Sequence, residues 1–179
     1  SVADQFIKTG MYKNILVIGA ENHSGALDKS TRGRGVSVIF GDGAGAAILS
    51  RSEVKGKGIL SSHLHSEGKH ARELMMDGPS TVRWVPEILA ENDSEDQSYY
   101  PYMNGQLVFK NAITRFSEVI MEGLDLNNLQ KEDIDMLIPH QANLRIAQFI
   151  QKRFKLSDDK VYNNIMKYGN TTAASVIIA

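Results

Sequence analysis

A histidine after an apolar run and an asparagine in a glycine turn are the residues here best placed to do chemistry. His140 follows Ile134-Asp135-Met136-Leu137-Ile138-Pro139 and precedes a helix that begins near Asn143. That order puts an imidazole at the carboxyl end of a buried strand, where α/β folds gather their ligand chemistry. Pro139 fixes the approach to the turn. Asn170 stands in a Gly-Asn turn leading into Thr171-Thr172-Ala173-Ala174-Ser175. It reads as an ordinary turn residue or helix cap, or as a carboxamide held rigidly enough to donate to an oxyanion. Spacing alone leaves both readings open.

Arg145, Lys152, Arg153 and Lys155 make the helix after His140 basic, with Arg145 and Lys152 seven apart on one face. A solvated face with cations near the helix C-terminus accounts for most of them. Arg145 lies in the first turn, where that account fails, and so stands out.

Other motifs carry less. Gly41-Asp42-Gly43-Ala44-Gly45-Ala46 fits the glycine pattern of dinucleotide sites, which require a helix to start at the second glycine. The strand-like Ala46-Ala47-Ile48-Leu49 follows instead, so the expectation is a tight turn between strands. His63 and His65 share one strand face and His70 follows, but no carboxylate is evidently poised beside them; polar strand or interface histidines are expected, and no metal. Ser24 and Ser175 are hydroxyls with no evident base nearby. The sequence has no cysteine, hence no thiol nucleophile and no disulfide.

The elements that must position these residues follow from periodicity. Val2, Phe6 and Ile7 form a helical stripe ending near Gly10. Ile15-Leu16-Val17-Ile18 predicts a strand buried on both faces. Val36–Phe40, Ala46–Ser50, Ile59–His65 and Ile134–Ile138 predict further strands, with a flexible polar stretch over Glu21–Gly35. Phe109, Ile113, Phe116, Ile120 and Leu124 recur at helical spacing, and Asn143–Phe154 predicts a second amphipathic helix. Strands alternating with helices argue for an α/β fold with a largely parallel sheet. Glu87–Tyr102 has no sustained period and is the best boundary.

The 179 residues, 42% hydrophobic and 23% charged with a net charge of −1, fit a globular protein without a global pull towards nucleic acid or anionic membrane. No run is long enough to span a bilayer as a helix. A cytoplasmic protein handling small or carrier-bound substrates is the default expectation. Both ends fall inside apolar elements, so a fragment of a longer protein is expected.

Pro139–Arg145, Tyr168–Ser175 and Phe40–Ala46 resemble, taken together, segments of β-ketoacyl-acyl-carrier-protein synthase III. Ser1–Gln5, His63-Leu64-His65 and Met103–Phe109 resemble others, in order along the chain. The resemblance implies a thiolase fold: two similar α/β halves with stacked mixed sheets and shared core helices, normally a homodimer. Residues 1–90 would end the first half, 91–102 would link, and 103–179 would form most of the second. It implies an acyltransferase that condenses an acyl-CoA primer with malonyl-acyl-carrier protein, with CoA entering only as part of the substrate and no cofactor. His140 and Asn170 match catalytic positions, and the nucleophilic cysteine would lie upstream of Ser1. Gly105, Phe109, Ala142 and Asn143 match the pantetheine tunnel, Arg34 a contact to the CoA nucleotide, and Arg145, with Lys152 on the same face, the carrier-protein docking face. The loop Leu27–Arg34 departs from the usual form, which has an acidic residue just before the arginine; a specialised paralogue with another primer is therefore an alternative. So are a non-catalytic subunit of the same fold and, less favoured, a thiolase or hydroxymethylglutaryl-CoA synthase relative.

Overall fold

A computed structural model describes residues 1–78 and 97–179. Helix α1 (Val2–Lys8) leads through Gly10, at φ 75°, into strand β1 (Asn14–Glu21), which pairs with β2 (Gly43–Ser50). Short strands β3 (Leu74–Met75) and β4 (Tyr102–Met103) form a second pair. Then come α2 (Gly105–Leu126), α3 (Leu144–Phe154), α4 (Ile165–Tyr168) and α5 (Ser175–Ile178). Residues 91–96 of the expected linker, and 79–90 of the expected first half, lie outside the described residues.

The two long helices form where the periodicity predicts them. Asn104 caps α2 by accepting from Leu107 N–H, and Asn143 caps α3 by accepting from Arg145 N–H at 2.9 Å. Lys155, left-handed at φ 55°, ends α3. Leu124 on α2 and Ile146, Ala147, Ile150 and Phe154 on α3 are the buried apolar residues of these helices.

The strands depart from expectation. β1 and β2 are antiparallel, Ile18 opposite Ala46, and among the described residues parallel pairing is confined to two isolated bridges, Phe40–Asn170 and Leu137–Val161. β1 is covered on one face only: Leu16 and Ile18 are 58% and 64% exposed, and Ile48 on β2 is 72% exposed. An apolar run does not distinguish one covered face from two. Val36–Ile39 is a turn and Phe40 keeps only its bridge, because Gly33 C=O accepts from both Val36 and Ser37 N–H, and local bonds displace a ladder. Ile134–Ile138 keeps only the Leu137 bridge, and Ile59–His65 pairs with no strand among the described residues. The latter is tied sideways to α2 instead: His63 Nδ1 and His65 Nε2 lie 2.9 and 2.6 Å from the two oxygens of Glu122. Asn127 donates to Ser61 Oγ at 2.7 Å.

Candidate active site

Two loops carry His140 and Asn170, and buried polar contacts fix each one. Gln141, 3% exposed, works in both directions. Its amide NH2 donates to Pro139 C=O (2.9 Å) and Tyr162 C=O (3.2 Å), while its oxygen accepts from Asn164 and Ile165 N–H. Leu137 N–H donates to Lys160 C=O and Tyr162 N–H to Leu137 C=O, so residues 137–142 are pinned along 160–165. His140 emerges from this frame half-buried, beside the buried Pro139.

Asn170 is buried at 7% exposure. Its N–H donates to Ile39 C=O (2.8 Å), and its own C=O accepts from Gly41 N–H (3.0 Å). Backbone can approach this closely because the facing positions are glycines. A Cβ on Gly41 would meet Tyr168 C=O at 2.0 Å, and one on Gly19 would meet Ala173 C=O at 2.5 Å. β2 starts at Gly43 where a nucleotide site would start a helix, so the glycine motif serves as a bed for the Asn170 segment. Asn170 Oδ1 accepts from Thr172 N–H at 2.9 Å, which leaves the amide NH2 without a partner among the described residues.

Ser175 joins the two loops. Its Oγ, on a residue 1% exposed, lies 2.5 Å from His140 Nδ1. The expectation that Ser175 has no base beside it is therefore wrong; a separation of 35 positions hid the contact. Burial pushes the His140 imidazole below its ordinary pKa, favouring the neutral ring. Neutral imidazole and unpartnered carboxamide are both hydrogen-bond donors suited to negative charge developing on an oxygen.

The remaining matched positions divide. Ala142, half-buried, donates its N–H to His140 C=O at 2.9 Å, and Asn143 is the exposed cap of α3; both adjoin the site. Gly105 opens α2 and Phe109 sits half-buried one turn on, on the helix that packs against α3. Arg34 is exposed in a 3₁₀ turn, with no hydrogen bond to the other site residues among those described. Arg145 and Lys152 are exposed in the first and last turns of α3. His70 lies 4.0 Å from Glu67, apart from the Glu122 pair, and no group of metal-binding side chains occurs among the described residues. Sequence reasoning missed Glu21 at the end of β1, His23 just beyond it and Thr172 beside Asn170, which together brace the Asn170 segment; a glutamate closing an apolar strand was the available signal.

Comparison with known proteins fits this geometry. The family model described as 3-oxoacyl-[acyl-carrier-protein] synthase III matches residues 1–68, and its C-terminal counterpart matches 124–179. A β-ketoacyl-[acyl-carrier-protein] synthase III of Caldanaerobacter subterraneus is 46% identical over 180 residues, covering 100% of this chain and 52% of the relative. Crystal structures of the synthase from Aquifex aeolicus (38% identity, TM-score 0.83, 99% of this chain and 50% of that one) and Thermus thermophilus (33%, 0.85, 99% and 52%) superpose on it. The chain thus spans about half the length of the relatives it matches, and the thiolase fold expected from sequence is the fold it shares with them. With both family models matched in order and structures superposing along nearly all of it, the chain belongs to the 3-oxoacyl-[acyl-carrier-protein] synthase III family.

Proposed function

We propose that the protein carrying this chain is an acyltransferase that condenses an acyl-CoA primer with malonyl-acyl-carrier protein, and that His140 and Asn170 form its oxyanion-binding pair. The malonyl thioester loses carbon dioxide, and the electron pair of the broken C–C bond moves onto the thioester oxygen. His140 Nε2–H and Asn170 Nδ2–H would donate to that oxygen. The carbanion carbon then attacks an acyl-cysteine thioester and releases the thiolate. That cysteine must come from outside these residues, which contain none. The observation that carries the reading is the Ser175 bridge, which ties a neutral imidazole to the segment whose asparagine NH2 is left unpartnered.

Further roles rest on the family resemblance: Gly105, Phe109, Ala142 and Asn143 along the pantetheine arm, Arg34 at the CoA nucleotide, Arg145 and Lys152 at the carrier protein. A homodimer and the lack of any cofactor rest on it too, whereas the division near residues 91–102 draws also on the aperiodic Glu87–Tyr102 stretch and a cytoplasmic setting on composition. No helix among the described residues is long and apolar enough to cross a membrane.

One observation favours a specialised primer. Gly33 stands where the usual loop has its acidic residue, and a Cβ there would lie 1.9 Å from Asp28 C=O. This turn admits no side chain, so the CoA nucleotide would be met by a reshaped loop in which Asp28 pairs with Arg32 at 2.6 Å.

The test separates the half-reactions in the full-length enzyme. His140→Ala and Asn170→Ala should each slow carbon dioxide release from malonyl-carrier protein by about 10²–10³-fold. Acyl transfer from acyl-CoA, which forms no carbanion, should suffer far less. Decarboxylation at the wild-type rate in either variant refutes the oxyanion role.

A further inference from the structure

Thr172, two residues beyond Asn170, holds φ at 33°. A β-branched residue avoids this region, and such a conformation persists only where its surroundings impose it. Those surroundings come largely from the end of β1. Glu21, its last residue, accepts from Ala173 N–H at 3.1 Å. The nearby Thr172 hydroxyl and this N–H hold the Glu21 carboxyl below its ordinary pKa, so it stays ionised. Thr172 Oγ1 also lies 3.3 Å from His23 Nε2. The His23 ring packs on Phe40 with 4.9 Å between centroids, and Phe40 is the residue bridged to Asn170. Thr172 N–H is also the donor that occupies Asn170 Oδ1. The direction of the Asn170 amide is therefore set by a strained residue, and that residue is held by Glu21 and His23.

We propose that Glu21 is a positioning residue: by clamping Thr172 and Ala173 it aims the Asn170 NH2. The proposal rests on the reaction proposed above. It separates from a plain stabilising role because Asn170 is needed where charge develops on oxygen, while acyl loading is not. Misplacing a catalytic group by about 1 Å costs up to about a hundredfold in rate.

The full-length enzyme and its Glu21→Ala, Glu21→Gln and Thr172→Ala variants would be assayed for carbon dioxide release from malonyl-carrier protein and for acyl loading from acetyl-CoA. The Asn170 side-chain amide would be followed by ¹⁵N NMR. Glu21→Ala should lower kcat for decarboxylation by about tenfold or more, with KM and acyl loading within about twofold, and should shift the Asn170 amide resonance. Glu21→Gln, whose oxygen still accepts from Ala173 N–H, should recover much of the rate. Thr172→Ala, which removes only the clamped hydroxyl, should repeat the selective loss and decides the matter if Glu21→Ala does not fold. Wild-type decarboxylation in Glu21→Ala or Thr172→Ala, equal losses in both half-reactions, or an unmoved Asn170 resonance overturns the proposal. A wild-type enzyme that releases no carbon dioxide overturns the reaction itself, and the amide resonance then decides the clamp alone.

Discussion

With Ser175 Oγ 2.5 Å from Nδ1, the imidazole of His140 has one nitrogen engaged and one to spare. A hydroxyl donating to Nδ1 fixes the proton on Nε2, the tautomer that can donate to a substrate oxygen. Burial lowers the His140 pKa, so the folded protein binds fewer protons there than the unfolded chain does. The stability this contributes is complete above the ordinary value near 6.5 and is lost as pH falls through the lower folded value. Decarboxylation should follow the same group, with an acid limb below pH 6.5; a limb at or above that value refutes a neutral His140 donor. Ser175→Ala should release the tautomer and slow decarboxylation about tenfold, within the loss expected when a catalytic group is kept but misplaced, measured as kcat against pH. His140 was legible in the sequence because a strand end and a proline frame it. Ser175 was not, because its partner is remote in sequence.

At the scale of elements, the site depends on how close the Asn170 segment lies to the strands beneath it. Gly19→Ala would drive a methyl into the Ala173 carbonyl, 2.5 Å away, where backbone on both sides cannot yield. Overpacking of this kind costs about 1–3 kcal/mol. The expected result is a lower denaturant midpoint together with a loss of decarboxylation, since the displaced segment carries Asn170. A variant of unchanged midpoint and rate would show that the approach is looser. The same elements explain what the sequence could tell. Helices α2 and α3 were predictable because their pattern closes within a turn. The strands were misjudged because pairing is decided by residues far along the chain: the turn at Val36–Ile39 has strand-like composition, yet Gly33 captures its amides. The glycine run was legible as a close-packed turn rather than a nucleotide loop because a strand follows it, but the Asn170 segment lying on it is remote in sequence.

For the 179 residues taken alone, the open face of the β1–β2 pair is a broad exposed apolar surface. Leu16 and Ile48 are register partners and Ile18 lies beside them, all more than half exposed on a sheet that gains no third strand among the described residues. Such a surface is an association site. The 179 residues expressed alone should self-associate in light scattering, and Ile18→Lys with Ile48→Lys should reduce it; a monomeric unmodified chain contradicts this. The isolated chain should also take up no acyl group from labelled acyl-CoA by mass spectrometry. It has no thiol, and Ser175, although next to His140, is 1% exposed and closed to a substrate. The contacts that brace Asn170 also set an order of assembly. The His23–Thr172 and Glu21–Ala173 hydrogen bonds span 149 and 152 residues, whereas the α2–α3 core closes over a short stretch of chain. Distant contacts carry the larger loop-closure cost and form late. The α2–α3 core therefore forms before residues 168–175 settle against β1, and the geometry around Asn170 is completed late.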